Sequence, residues 1–103
     1  MMDPEENSRD RRRISIAVDV VFEILDREAV LLNLNTGVYF TLNEVGTRIW
    51  QLIEQRRNPS QIRQTLLEEY NVQREVIDAD LNELLSELAS RGLVFVDDTT
   101  SQD

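Results

Sequence analysis

Three carboxylates, Asp80, Glu83 and Glu87, stand at i, i+3 and i+7, a spacing that gathers them on one face of a helix. A row of this kind could hold a hard cation or simply solvate a helix. A hard cation wants six or more oxygens in a closed arrangement, usually from a loop, so the solvated face is the plainer reading. Little else in the chain offers chemistry. It contains no histidine, cysteine or lysine, which removes the commonest general base, the soft metal ligands, the thiol nucleophile and the catalytic amine. The serines therefore have no imidazole partner. Gly37 and Gly46 do not form a phosphate-cradling loop, because neither GxxxxGK nor GxGxxG is present. Trp50 reads as core. Tyr39 falls opposite Val38 and Phe40 in a strand alternation, so it reads as a packing residue on the less buried face. The expectation is a protein that is not an enzyme and that uses no metal and no cofactor.

Charge narrows the partners. The net charge is −9, from 20 acidic and 11 basic groups, and every basic group is arginine. Nucleic-acid affinity rests on neutralising phosphates, so a domain this acidic is repelled by DNA and RNA. The run Arg11, Arg12, Arg13 could touch an acidic partner but reads first as a solvated lead-in. No run of about 18 apolar residues is present to cross a membrane. The opening MMDPEENSRDRRR lacks the apolar centre of a secretory signal. With no cysteine for a disulfide, a cytoplasmic location is expected.

The 103 residues make one domain. Residues 1–13 and 97–103 are expected to be disordered tails around a domain at 14–96. Ile14, Ile16, Val18, Val20, Phe22 and Ile24 fall on alternate positions, the pattern of one strand or two strand segments with a buried face. After the polar turn Asp26-Arg27-Glu28, Val30, Leu32 and Leu34 alternate with Leu31 and Asn33. Asn35-Thr36-Gly37 is a tight-turn signal, and Val38, Phe40 and Leu42 follow as a further strand. Short connections make these strands an antiparallel meander.

Beyond Asn43, a natural N-cap, the period changes to that of a helix: Val45, Ile49, Leu52 and Ile53 repeat, with Trp50 beside them. Asn58-Pro59 starts a second helix with Gln61 placed for a capping box, and Ile62, Leu66 and Tyr70 mark its buried face. A third carries the stripe Ile77, Leu81, Leu84, Leu85 and Leu88 and stops at Gly92. Val94, Phe95 and Val96 suit a short terminal strand. The whole is α+β, a winged helix-turn-helix with an N-terminal three-stranded antiparallel sheet and three helices. In a DNA-binding protein of this shape the last helix would enter the groove. Here it carries Glu75, Asp78, Asp80, Glu83 and Glu87 between Arg74 and Arg91, which speaks against a transcription regulator.

The strand Val38 to Leu42 ends the meander and has no proline and no charge to blunt its edge. An extended peptide could add there as another strand, held by main-chain bonds. The other candidate occupants are the chain's own tail or a second copy, giving a homodimer.

The stretch AVLLNLNTGVYFTLNEVGTRIWQLIE and the later DADLNELLSELASRGLV resemble the PqqD-like proteins, or RiPP recognition elements. The most specific part is the hairpin leading into G-x-Y-F-x-L-N, then a helix with Ile49-Trp50. The likeness runs from about Val20 to Val96. It implies a winged fold that binds the leader segment of a precursor peptide, antiparallel to the strand Val38, Tyr39, Phe40, Thr41 and Leu42. The third helix would border the groove with Val76, Asp80, Glu83 and Leu84. The dedicated partner of pyrroloquinoline quinone synthesis has a segment closer to L-L-x-P-E where this chain has Leu32-Asn33-Leu34-Asn35-Thr36. The chain looks closer to the stand-alone recognition proteins of lasso-peptide clusters. That implies a leader peptidase and an ATP-dependent macrolactam cyclase as partners on separate chains. A radical peptide-modifying enzyme is the alternative partner.

Overall fold

The computed structural model describes residues 12–97, so most of both expected tails lies outside the described residues. The first strand, β1 (Arg13–Ile16), is followed by β2 (Val20–Leu25), β3 (Glu28–Asn33) and β4 (Val38–Leu42). Helices α1 (Glu44–Glu54), α2 (Pro59–Glu69) and α3 (Arg74–Ser90) come next, and β5 (Val94–Asp97) is last. β2, β3 and β4 form the expected antiparallel meander in that order.

The long alternating stretch from Ile14 to Ile24 is two strands in two sheets. It breaks at Ala17–Asp19, where the Val20 N–H bonds the Ala17 carbonyl at 3.2 Å. Val18, which alternation would bury, is instead 94% exposed at this turn. β1 then pairs with β5, Arg13 against Asp97 and Ile16 against Val94, joining the two ends of the described chain. The turn is tied to the β3–β4 connection, since Leu34 N–H bonds the Asp19 carbonyl at 2.9 Å and Asn35 Nδ2 donates to Asp19 Oδ2 at 2.7 Å.

β3 faces the opposite way from the reading that sets Val30, Leu32 and Leu34 as its apolar side. Ala29, Leu31 and Asn33 are buried, while Leu34 lies in the turn and is exposed. Leu31 stands between its Cα partners Phe22 and Phe40, so these three share the core face of the sheet. Trp50 of α1 meets Phe22 edge-on, with ring centroids 5.4 Å apart.

The first two helices begin where their side-chain caps lie. Asn43 accepts from Gly46 N–H at 2.9 Å, and Asn58 with Gln61 completes a reciprocal capping box ahead of Pro59. Gly92, at φ 72°, ends the third helical region in the left-handed conformation that glycine takes without strain. Ile49, Leu52, Ile53, Ile62, Leu66, Ile77, Leu81, Leu85 and Leu88 carry the apolar stripes into a common core with Leu31, Leu93 and Val94. Burying each large side chain contributes about 1.5–3 kcal/mol. α1 and α2 are clasped outside this core by Arg48, whose guanidinium donates to both Glu69 carboxylate oxygens at 2.8 Å.

Candidate functional site

The edge of β4 is positioned from both ends. At its start, the buried Asn33 amide donates to the Arg91 and Gly92 carbonyls at 3.1 and 3.2 Å, fixing the hairpin to the C-terminus of α3. Its Oδ1 accepts from the Asn35 and Thr36 N–H groups, shaping the turn that Gly37 (φ 75°) completes. At its end, the chain passes from Leu42 through Asn43 directly into α1, and the Thr47 hydroxyl bonds the Leu42 carbonyl at 3.4 Å. Gly46 permits that close approach, because a Cβ there would lie 3.2 Å from Leu42 Cδ2.

β4 pairs with β3 on one side only; among the described residues no strand covers its other edge. Tyr39 is 66% exposed and Thr41 is exposed, whereas Val38 and Phe40 are half-buried and Leu42 is buried. Beside the strand lies a groove of about 240 Å³ between β4, the first turns of α1, and α3. Its floor is Phe40, Leu42, Val45, Ile49 and Leu84, and its rim along α3 is Asp80, Glu83 and Glu87.

The structure therefore brings Phe40, Thr41 and Leu42 together with Asp80, Glu83 and Leu84. Leu84 is the one member of the α3 stripe left half-buried, which is what gives the groove its apolar floor on that side. Val38 and Tyr39 belong to the strand without lining the groove. Val76 is 45% exposed and lies outside the lining. Sequence reasoning left out Asn43, Val45, Gly46 and Ile49, whose position follows from a helix capped immediately after an edge strand. It also missed Asn33, a polar residue in an apolar alternation, and Arg91, whose guanidinium carbon stands 5.0 Å from the centre of the Phe40 ring.

The charged residues that line the groove are all acidic. Asp80, Glu83 and Glu87 are exposed, and among the described residues none of them has a side-chain hydrogen bond or ion pair. No group of three or more acidic side chains among the described residues is arranged to hold a metal ion. A second hollow, of about 730 Å³, lies by β1 and the α1–α2 connection, lined by Arg12, Arg13, Arg56 and Arg57. It has no part of β4 in its wall. No helix among the described residues is long and apolar enough to cross a membrane.

Fold and site together define a small winged α+β module with a strand edge that no other described strand covers, beside a helix-walled groove. The chain belongs to the coenzyme PQQ synthesis protein D (PqqD) family, whose profile matches residues 28–94. Two solved structures are similar. One is TbiB1 in complex with the TbiA(beta) leader peptide, 41% identical, with a TM-score of 0.74, covering 78% of this chain and 93% of that one. The other is a lasso peptide synthetase B1 complexed with the leader peptide, 26% identical, with a TM-score of 0.72, covering 80% of this chain and 96% of that one. No curated protein sequence matches the chain.

Proposed function

We propose that this protein is a non-catalytic cytoplasmic adaptor that captures the leader segment of a ribosomally made precursor peptide. The observation that carries the reading is the edge of β4, which no strand among the described residues covers, running beside an apolar-floored groove. Two similar proteins were solved with leader peptides, which supports the same role here. The leader adds antiparallel to Val38, Tyr39, Phe40, Thr41 and Leu42, exchanging main-chain hydrogen bonds. An apolar side chain of the leader enters against Phe40, Leu42 and Leu84. Asp80 and Glu83 border it, and Val76 flanks the entrance.

Four or five added hydrogen bonds at about 1 kcal/mol each, with one or two buried side chains, bring the affinity to roughly micromolar or tighter. The adaptor performs no bond chemistry. Binding raises the effective concentration of the core peptide at enzymes on other chains. The lasso-type neighbours favour a leader peptidase and a macrolactam cyclase as those enzymes. Membership of the PqqD family favours a radical peptide-modifying enzyme as the second reading.

The test is a fluorescence-polarisation titration with labelled leader peptides encoded by precursor genes beside this one, with random-sequence DNA as control. Saturable binding to one leader and none to DNA is expected. Folded protein that binds no leader, or that binds DNA tightly, would sink the proposal.

A further inference from the structure

We infer that the groove selects a guest segment of graded charge, with a lysine or arginine on the N-terminal side of its apolar anchor and a carboxylate on the C-terminal side. This rests on the reading of β4 as the strand to which a guest adds antiparallel.

The groove and the strand edge make the site; the ionised side chains around them set its preference. Asn33 joins the Arg91 and Gly92 carbonyls to the start of β4, since Asn33 is the Cα partner of Val38. The C-terminus of α3 therefore sits at the Val38 end of the strand, with the Arg91 guanidinium over the Phe40 ring. Glu87, Glu83 and Asp80 follow back along the helix at roughly 6, 12 and 16 Å from Arg91, at about 1.5 Å per residue. A guest antiparallel to β4 enters at Leu42 and leaves at Val38, so it runs in the same direction as α3. Its first residues meet the carboxylates and its last meet the guanidinium.

Charge complementarity then follows from solvation. A guest lying along the rim takes water from three carboxylates that have no cation among the described residues. An uncharged guest leaves that loss uncompensated, whereas a basic side chain offsets it in a medium that screens less than bulk water. The Arg91 end imposes the opposite preference. It already stacks on an aromatic face, and a guest carboxylate can use the donors that stacking leaves free.

A display library of short random linear peptides, selected on the full chain, tests this without a known client. The wild-type pool should carry lysine or arginine upstream of an apolar residue and aspartate or glutamate downstream. The triple variant Asp80→Asn, Glu83→Gln, Glu87→Gln should lose the basic preference, and Arg91→Gln the acidic one. A peptide from the wild-type pool should bind the triple variant about three- to tenfold more weakly. Its affinity for the wild type should fall with added salt, and that dependence should flatten in the variant. All these carboxylates are exposed, and circular dichroism checks that each variant is folded. Peptides enriched without charge preference, or with a preference unchanged in the variants, would overturn the inference while leaving strand addition intact. A folded wild type that enriches no peptide would overturn both.

Discussion

Asn33 and Gly92 meet across the molecule: the Asn33 amide donates to the Gly92 carbonyl at 3.2 Å, and a Cβ on Gly92 would come within 2.9 Å of the Asn33 Nδ2. The contact joins a turn of the sheet to the end of α3, so it sets the distance between the strand edge and the acidic rim. Asn33→Ala should lower stability by about 2–3 kcal/mol, because four hydrogen bonds are lost and the Arg91 and Gly92 carbonyls lose a partly buried donor. Gly92→Ala should cost about 1–2 kcal/mol, through both the positive φ and the contact. Urea unfolding measures each, and a loss near zero for Asn33→Ala would refute the role assigned to it.

Successive residues of a strand turn their N–H groups to opposite sides, so of Phe40→Pro and Thr41→Pro one removes a donor bonded to β3 and the other removes one on the open edge. The expected outcome is one unstable variant and one folded variant that no longer binds a leader. Thermal unfolding with polarisation binding separates the two. A folded proline variant at both positions, or a folded one with unchanged affinity, would place the guest elsewhere.

The family resemblance implies both Leu84 and Val76 on the helix face beside the strand, and of the two Leu84 lines the groove. Leu84→Ala should weaken leader binding by about tenfold, the effect of roughly 1.4 kcal/mol of lost apolar contact. Val76→Ala should leave it within about twofold, or some 0.4 kcal/mol. The reverse ranking in a titration would move the guest toward the N-terminus of α3.

The Arg48–Glu69 pair gives a pH-dependent test of the helical half. The hydrogen bond from Arg48 holds the Glu69 carboxyl below the ordinary glutamate range, against a smaller opposing effect of burial. A depressed carboxyl contributes stability above its unfolded value and loses it as pH falls through the folded value. Both side chains are part exposed, so Glu69→Gln should cost only about 0.5–1 kcal/mol at neutral pH. The gap between variant and wild type should close as pH falls below the ordinary glutamate range. A gap that persists in acid would mean that Glu69 acts through packing.

Much of this architecture could be read from residue order because its signals are local. The N-caps at Asn43 and Asn58, the turn at Gly37 and the stop at Gly92 each lie within a few residues of the element they bound. The sequence leaves open whether Ile14–Ile24 is one strand or two and does not mark the break, since Ala17-Val18-Asp19 contains neither glycine nor proline and keeps the apolar alternation through it. What separates β1 from β2 is a partner about eighty residues away in sequence. The face of β3 was ambiguous for a related reason: Ala29 and Leu31 on one side, and Val30 and Leu32 on the other, are all apolar. The edge of β4 could be found from its lack of charge, whereas how far along α3 the groove extends, past Leu84 toward Val76, is not written in local sequence.

The antiparallel match of Arg13 with Asp97 puts the entry and exit of the described chain side by side, within about 5 Å at the Cα atoms. The module can therefore be spliced into an exposed loop of a larger polypeptide, or strung from either end on a flexible tether, without prying its core apart. The joint would fall in the two-stranded sheet of β1 and β5 and leave the three-stranded sheet that carries β4 unbroken.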